Sequence, residues 1–391
     1  MDSDLDTLAG ALRERLLAAA GEGEDGAEPE RIRALVDREA GVLDEGARDG
    51  LAARIAERAF GLGPLEPLLA DPEVEEIMVS GTRPVWIERA GRLARTDVAF
   101  AREADLREAI ERILAPLGRR VDEAEPLADA RLPDGSRVNV VIPPLALDGP
   151  ALTIRRFRRR GFTPEDLVAN GTLNRPLLDF LARAVRCRAT VLICGGTGSG
   201  KTTTLNALSS FIGAEERVVT IEDAAELSLR QPHVVRLEAR PQNVEGRGEV
   251  TIRRLVRNAL RMRPDRIVVG EVRGGEALDL LTALSTGHDG SLSTVHAGYP
   301  AEALRRIETL ALMAGLGLPH AAIREQVADA FDLVLCQARA ADGTRRVVAV
   351  AEVVRVAGGA AARELYAWRD GRGRWRAALS DPLAALLRAA R

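Results

Sequence analysis

The chain is organised around one loop, Cys194-Gly195-Gly196-Thr197-Gly198-Ser199-Gly200-Lys201-Thr202-Thr203-Thr204. It follows the pattern glycine, four residues of any kind, glycine, lysine and threonine, which is typical of a phosphate-binding loop. That pattern requires a strand before it and a helix after it. The apolar run at 190–193 predicts a buried strand, and residues 205–208 predict a helix. The alternative is a glycine-rich turn that binds no ligand.

The residue types of this loop predict how it would hold a nucleotide. The glycines let backbone NH groups turn inward around phosphate oxygens, and the following helix adds the positive end of its dipole. Lys201 is the only lysine of the chain, although lysine and arginine together number 55. We expect it to neutralise the β- and γ-phosphates of ATP, and Thr202 to hold Mg²⁺ through its hydroxyl. The predicted nucleotide-binding residues are Gly195, Gly196, Thr197, Gly198, Ser199, Gly200, Lys201, Thr202 and Thr203.

Length and composition limit the classes of protein to consider. A chain of 391 residues exceeds one ordinary core, which favours two or more domains. The formal charge of −3 gives no indication of general nucleic-acid binding. Its three cysteines, Cys187, Cys194 and Cys336, show no paired spacing, which indicates a reducing compartment and no zinc module. Without a signal peptide or a membrane-spanning run, the expectation is a soluble cytoplasmic protein that docks at a membrane.

Hydrophobic periodicity divides the chain into five segments. Leucines 5, 8, 12 and 16 predict an amphipathic helix, either a loosely packed start or a partner-docking arm. Short alternating strands around one helix then predict a small α+β domain, and a strand, loop, helix rhythm predicts a parallel sheet covered by helices. The predicted segments are an N-terminal helical region at 1–60, an α+β domain at 61–160, a linker at 161–172, the phosphate-loop domain at 173–356 and a tail at 357–391, for which we predict no function.

The individual elements are predicted from the same periodicities. Alternating residues indicate strands in the first domain, and apolar runs indicate buried strands in the second. The predicted strands are 76–79, 84–88, 96–100, 137–142, 151–155, 190–193, 218–221, 266–269 and 292–295, and the predicted helices include 31–60, 103–117 and 251–263.

Polar side chains gather where the strands of the second domain end, which is where parallel sheets carry their functional groups. Glu222 follows one strand and Glu271 the next, and both are predicted to act on Mg²⁺ or on the attacking water. His296 follows another strand and is predicted to donate to the γ-phosphate, with His288 nearby in the sequence. The alternatives are a helix cap or a surface ion pair for the glutamates, and a satisfied core residue for the histidines.

Phosphoryl transfer often needs an arginine that reaches the developing charge, sometimes from a neighbouring subunit. The smaller domain offers Arg131, Arg137, Arg155 and Arg156, and no spacing rule selects among them. A solvated charged edge is the alternative for the basic run at 155–160.

With these stretches in place, residues 61–354 resemble the CpaF/TadA branch of the type II/type IV secretion ATPase superfamily. Glu222-Asp223 matches that family's Asp box, Gly270-Glu271-Val272-Arg273-Gly274 its atypical Walker B motif, and both Thr286-Gly287-His288 and Ser293-Thr294-Val295-His296-Ala297 its His box. Further matching stretches are 61–65, 134–139, 152–157 and 260–266.

The resemblance implies a RecA-like P-loop ATPase domain in a homohexameric ring, with ATP and Mg²⁺ bound between the two domains. Thr202, Glu222 and Glu271 would be the metal-binding residues, and Arg131, Arg137 and Arg155 would complete the site. The resemblance also implies work on an inner-membrane platform protein that assembles Flp/Tad-type pili or exports protein. Ser80 and Gly298 depart from the family pattern, where asparagine is expected.

Two other classes of function stay open at this point. A self-contained P-loop kinase or transferase would need an acceptor pocket and a lid, which the chain does not suggest. A nucleotide-gated scaffold would not hydrolyse ATP, and the intact Lys201, Thr202, Glu222 and Glu271 argue against it. A DNA-moving motor is a variant of the leading hypothesis, and we expect neither nucleic acid nor zinc as a partner.

Overall fold

The structure is a computed structural model that describes residues 8, 12, 28–60, 62–89, 91–156, 161–240, 242, 247–340 and 342–388. The predicted N-terminal leucine helix lies outside these residues apart from Leu8 and Leu12. The chain divides into two compact units, Met1–Arg158 and Arg159–Arg391, each with its own apolar core. The boundary lies close to the end of the predicted α+β domain.

The first unit begins with two helices, α1 (Glu28–Glu39) and α2 (Glu45–Phe60). One continuous helical region over 31–60 was predicted, whereas the chain turns at residues 40–44. Asp44 ends this turn, because its Oδ1 accepts a hydrogen bond of 2.8 Å from Ala47 N. Asp is a favoured residue at the start of a helix for this reason.

A six-stranded antiparallel sheet follows, in the order β3-β2-β1-β6-β5-β4. One face packs on α4, whose residues Leu106, Ile110 and Ile113 are buried at helical spacing. The remaining elements are a 3₁₀ turn at Gly63–Leu65, α3 (Glu66–Ala70), β1 (Val74–Ser80), β2 (Trp86–Arg89), β3 (Arg92–Arg95), α4 (Glu103–Leu114), a 3₁₀ turn at Ala115–Leu117, β4 (Leu127–Arg131), β5 (Arg137–Val141) and β6 (Ala151–Arg155).

Two edges of this sheet differ from the sequence prediction. The stretch 96–100, which was predicted as a strand, is irregular. The strand β3 lies just before it and was not predicted, because all four of its residues are exposed and show no alternating apolar pattern. The strand β4 was not predicted, because alanine supplies its inward positions and carries little β propensity.

The second unit contains a nine-stranded sheet in the order β15-β14-β13-β12-β7-β11-β10-β8-β9. The six strands from β12 to β9 run parallel, and β13, β14 and β15 extend the sheet as an antiparallel meander. The strands are β7 (Val191–Gly195), β8 (Val218–Glu222), β9 (Val234–Glu238), β10 (Arg266–Val272), β11 (Leu292–Val295), β12 (Leu333–Arg339), β13 (Arg345–Val356), β14 (Gly359–Arg369) and β15 (Arg372–Trp375).

Helices cover both faces of this sheet. Along β7, Val191 and Ile193 enter one apolar cluster while Leu192 and Cys194 enter the other, which is the alternation of a strand buried on both sides. The helices are α5 (Pro164–Ala169), α6 (Arg175–Arg186), α7 (Lys201–Ser209), α8 (Ile252–Ala259), α9 (Glu276–Leu284), α10 (Pro300–Leu312), α11 (His320–Ala330) and α12 (Asp381–Arg388). Among the described helices, none is both long enough and apolar enough to cross a membrane.

Three predicted boundaries differ within this unit. The predicted linker at 161–172 contains α5, which begins with a capping box between Thr163 and Asp166. The predicted tail at 357–391 continues the sheet as β14 and β15, and Trp375 packs edge-on against Phe180 with ring centroids 5.2 Å apart. The predicted helix at 251–263 ends at Ala259, and the chain adopts a left-handed φ of 52° at Arg263, before Pro264.

Candidate active site

The carboxyl ends of four neighbouring parallel strands form one edge of the second unit, and the predicted site residues follow this edge in order. The strand β7 leads into the phosphate loop, β11 into His296, β10 carries Glu271, and β8 ends with Glu222. These strands are not in sequence order, so the sheet topology alone brings these side chains to one edge.

The phosphate loop has the geometry that its glycines predict. Helix α7 begins at Lys201, and Gly200 before it has a φ of 92°, in the left-handed region that other residues rarely adopt. Lys201 is buried, and its Nζ donates a hydrogen bond of 3.1 Å to Gly196 O. Burial lowers the pKa of Lys201, and the carboxylate of Glu271 opposes this shift. The lysine therefore lies folded over a loop whose residues 196–198 are exposed.

A bulge in β10 sets the direction of Glu271. Two residues of β10, Gly270 and Glu271, stand opposite the single residue Thr294 of β11, because the register shifts between Val269 and Val272. The hydroxyl of Thr294 donates to Gly270 O at 2.7 Å and so fixes the bulge. Thr294 was not predicted as a site residue, and no sequence signal distinguishes it from an ordinary strand threonine.

The Glu271 carboxylate lies between two basic side chains. Arg273 Nη2 donates to Glu271 Oε2 at 2.7 Å, and His296 Nε2 lies 2.6 Å from Glu271 Oε1. Arg273 Nη1 also reaches Asp223 Oδ2, at 3.4 Å. Sequence reasoning missed this role of Arg273, which follows the end of β10 at Val272, so no strand periodicity signals it.

The protonation of His296 depends on several neighbours. Burial lowers the pKa of His296, and the positive charges of Lys201 and Arg273 lower it further, while the Glu271 carboxylate opposes them. The balance of these effects favours the neutral imidazole. A neutral imidazole still carries one N–H, which it can donate to a carboxylate or a phosphate oxygen.

Glu222 is buried, with 2% of its surface exposed. Its Oε1 accepts hydrogen bonds of 2.9 Å from the backbone N of both Glu226 and Leu227, whereas its Oε2 is buried without a partner. Burial raises the pKa of Glu222, and these two backbone donors oppose the shift. Oε1 therefore holds the loop that follows β8, and Oε2 stays available to accept a hydrogen bond or to bind a cation.

The predicted metal-binding residues suit Mg²⁺ in their chemistry. Hydroxyl and carboxylate oxygens are its preferred ligands, and the orphaned Oε2 of Glu222 is a buried acceptor of that kind. Among the residues that the structure describes, no group of three or more acidic, histidine or cysteine side chains is arranged to hold a metal ion. A Mg²⁺ that accompanies ATP needs no such group, since phosphates and water supply most of its ligands.

The structure does not bring His288 to this edge. It lies in the connection between α9 and β11, before the strand begins, whereas the phosphate loop follows the end of β7. Its Nδ1 lies 3.0 Å from Ala283 O at the end of α9. A role for His288 in the phosphate site of its own chain is therefore not supported by this geometry.

The three predicted arginines belong to the first unit, where they form one row. Arg131 is the cross-strand partner of Arg137, and Arg137 is the partner of Arg155. They lie on the face opposite to the buried residues Val138 and Ile154. Arg156 instead donates to the backbone carbonyl of Asp71. A cross-strand row of three arginines makes a concentrated positive strip on that face.

Comparison with known proteins gives consistent matches over most of the chain. A family model described as type II/IV secretion system protein matches residues 58–364. The putative conjugal transfer protein Rv3659c of Mycobacterium tuberculosis is 42% identical over 332 residues, which is 83% of this chain and 92% of that protein. The type IV secretion system protein PtlH of Bordetella pertussis is 37% identical over 329 residues, which is 77% of this chain and 96% of that protein.

Among solved structures, the ATPase DotB of Legionella pneumophila matches with a TM-score of 0.53 and 23% identity. The match covers 74% of this chain and 79% of that chain. At this identity the likeness concerns the fold, and it agrees with the predicted RecA-like architecture.

Proposed function

The chain belongs to the type II/IV secretion system protein family and is a secretion-system ATPase, and we propose that it works as a hexameric motor for Flp/Tad-type pilus assembly or protein secretion. The superfamily predicted from the sequence motifs is thereby confirmed. The CpaF/TadA branch, the hexamer and the exported substrate are parts of the proposal.

One observation carries the proposal. The phosphate loop, His296, Glu271 and Glu222 lie along the carboxyl edge of one parallel sheet, with Glu271 held between Arg273 and His296. A hydrolase needs a phosphate cradle and an acceptor that orients water beside it. A nucleotide-gated scaffold would need only the cradle.

Each side chain has a distinct part in the proposed reaction. Lys201 lies over the phosphate loop and supplies positive charge to the β- and γ-phosphate oxygens. Glu271 orients the attacking water and accepts its proton, with Arg273 fixing one carboxylate oxygen. His296 touches the other oxygen, so an imidazole that turned toward a γ-phosphate would release it. The state of the nucleotide would in this way change the polar contacts of Glu271.

Thr202, Glu222 and Glu271 are the residues that we propose to hold Mg²⁺ or the water molecules around it. When bound, Mg²⁺ would neutralise charge on the phosphate oxygens during transfer. Oε2 of Glu222, buried and unpaired, supports this assignment.

We further propose that a neighbouring chain of the ring completes each ATP site with arginine side chains. The row Arg131, Arg137 and Arg155 has the charge that phosphoryl transfer needs from a second element. The ring would act in the cytoplasm at the inner membrane, on a platform protein of the pilus or secretion machine. Binding, hydrolysis and release of the nucleotide would drive domain motion.

The first test is ATP turnover per chain as a function of protein concentration, with the mass of the assembly measured at each dilution. Turnover that rises with assembly and then saturates is expected if a neighbour completes the site. Constant turnover in a protein that is monomeric by mass would contradict the shared site.

A mixing experiment identifies the residues that are shared. Chains with Lys201→Ala and chains with Arg137→Ala should each be inactive alone, while mixed rings regain part of the activity at sites that combine intact halves. The same test applies to Arg131→Ala and Arg155→Ala. Arg83→Ala, an exposed arginine of the first unit paired with Asp148, is the matched control and should keep full turnover. Mixtures that stay inactive would show that the arginine acts within its own chain or elsewhere.

A further inference from the structure

The phosphate loop has a second neighbour, strand β12, that none of the motifs includes. Gln337 of β12 is the cross-strand partner of Gly195, where the loop begins. A side chain on Gly195 would place its Cβ 2.3 Å from Gln337 O, so the two backbones meet at a distance that only glycine allows. The start of the loop is therefore held against β12.

The side chain of Gln337 continues this contact into helix α7. It is 2% exposed, and its Oε1 accepts a hydrogen bond of 2.8 Å from the hydroxyl of the fully buried Thr204. Its Nε2 faces Gly200, because a Cβ built there would lie 3.0 Å away. A buried amide and hydroxyl are costly to leave unpaired, so this contact fixes one relative position of strand and helix.

A third contact comes from the next strand, β13. Arg345 Nε donates a hydrogen bond of 3.0 Å to Gly198 O, in the exposed part of the loop. The hairpin β12–β13 thus holds the loop at its start, at its exposed turn and at the first turn of α7. These contacts are on the side of β7 away from β11, which leads into His296.

We propose that Gln337 is a positioning residue for ATP hydrolysis, acting through Thr204, an inference that rests on the proposed function above. The hydrogen bond sets where α7, and with it Lys201 and Thr202, stands relative to the sheet that carries Glu271. Much of the phosphate binding comes from backbone groups within the loop, and variants of Gln337 or Thr204 keep both these groups and the Lys201 ammonium. Misplacement of reacting groups by about 1 Å lowers rates by roughly 100-fold, so turnover should suffer more than binding.

The test compares Gln337→Leu, Thr204→Val and the double variant with the wild-type chain. Each single change leaves one buried polar group unpaired, whereas the double change replaces the pair by two apolar side chains and should restore stability. We expect each variant, the double included, to lower kcat by roughly tenfold or more while KM changes less than about threefold. Thr204→Ser keeps the hydroxyl and should retain turnover.

Gln326→Leu is the matched control, because Gln326 is a half-buried glutamine of α11 whose Oε1 is buried without a partner. It should leave kcat unchanged. Midpoints of thermal unfolding are measured for every variant.

A double variant that regains kcat together with stability would overturn the inference, since it would show that packing alone matters. A Gln337→Leu chain with kcat within twofold of wild type would overturn it as well. If Gln337→Leu does not fold, the comparison of Thr204→Val with Thr204→Ser decides the question. A wild-type chain without turnover would instead contradict the proposed function.

Discussion

His296 Nε2 lies 2.6 Å from Glu271 Oε1, and this contact joins the ends of the neighbouring strands β11 and β10. Thr294 strengthens the same junction by its bond to Gly270 O. A polar contact therefore links the ends of the two strands at the point where the γ-phosphate of ATP is expected. A change in the nucleotide that draws His296 away would free one oxygen of Glu271.

Glu271→Gln tests the role of the carboxylate. We expect the variant to bind ATP and to lose turnover by roughly 100-fold or more, because glutamine cannot accept a proton from water. Turnover is measured by phosphate release, and binding by a fluorescent ATP analogue. The exposed Glu325→Gln on α11 is the control and should be as active as wild type. Near-native turnover in Glu271→Gln would show that the assignment is wrong.

Lys201→Ala tests the phosphate loop. Loss of a charge-assisted hydrogen bond weakens binding by about 1.5–3 kcal/mol, which corresponds to roughly 10- to 100-fold in affinity. Lys201→Met keeps the apolar stem and removes only the charge, so both variants should bind ATP equally weakly. If Lys201→Met binds as tightly as wild type, the ammonium group does not contact phosphate.

The lowered pKa of His296 leads us to expect that the stability of the folded chain depends on pH. Its pKa in the folded chain is lowered by burial, so below about pH 6.5 the unfolded chain takes up a proton that the folded chain resists. The contribution of His296 to stability is thus present above that pH and is lost as the pH falls through the folded pKa. NMR of labelled histidine should show the His296 ring titrating below the usual range.

The His296→Asn variant identifies that ring, because its signal should disappear. Binding of an ATP analogue should raise the pKa of His296, since phosphate adds negative charge. A His296 signal that titrates at the usual value in both states would contradict the described environment.

Gly270→Ala tests the packing around Glu222. A Cβ at this position would lie 2.8 Å from Glu222 Cγ, so the buried glutamate would have to move. We expect a loss of stability of about 1–3 kcal/mol and lower turnover. Gly50→Ala is the matched control, since nothing lies within 4 Å of that helical glycine, and it should be stabilised by about 0.5–1 kcal/mol. Equal unfolding midpoints for the two variants would refute the crowding argument.

The elements that the sequence predicted best are those with the strongest periodicity. The buried strands of the second unit carry apolar residues on both faces, so β8, β10 and β11 were found within a few residues. The weakly patterned β3 and β4 were missed, because exposed or alanine-rich strands depend on their sheet neighbours rather than on their own side chains. The tail was separated from the sheet for a related reason, since β14, which forms a hairpin with β13, begins with the alanine-rich run 360–362 and has little strand pattern of its own.

The sequence by itself determined the chemistry of the site. A phosphate loop between a strand and a helix is a local feature, as are Glu222, Glu271 and His296 at strand ends. Only the tertiary structure decided which side chains meet. The order β7-β11-β10-β8 places Glu271 against His296 and leaves His288 elsewhere, and the bulge beside Thr294 sets the direction of Glu271. Strand order and register arise from contacts between residues distant along the chain, and no local pattern contains them.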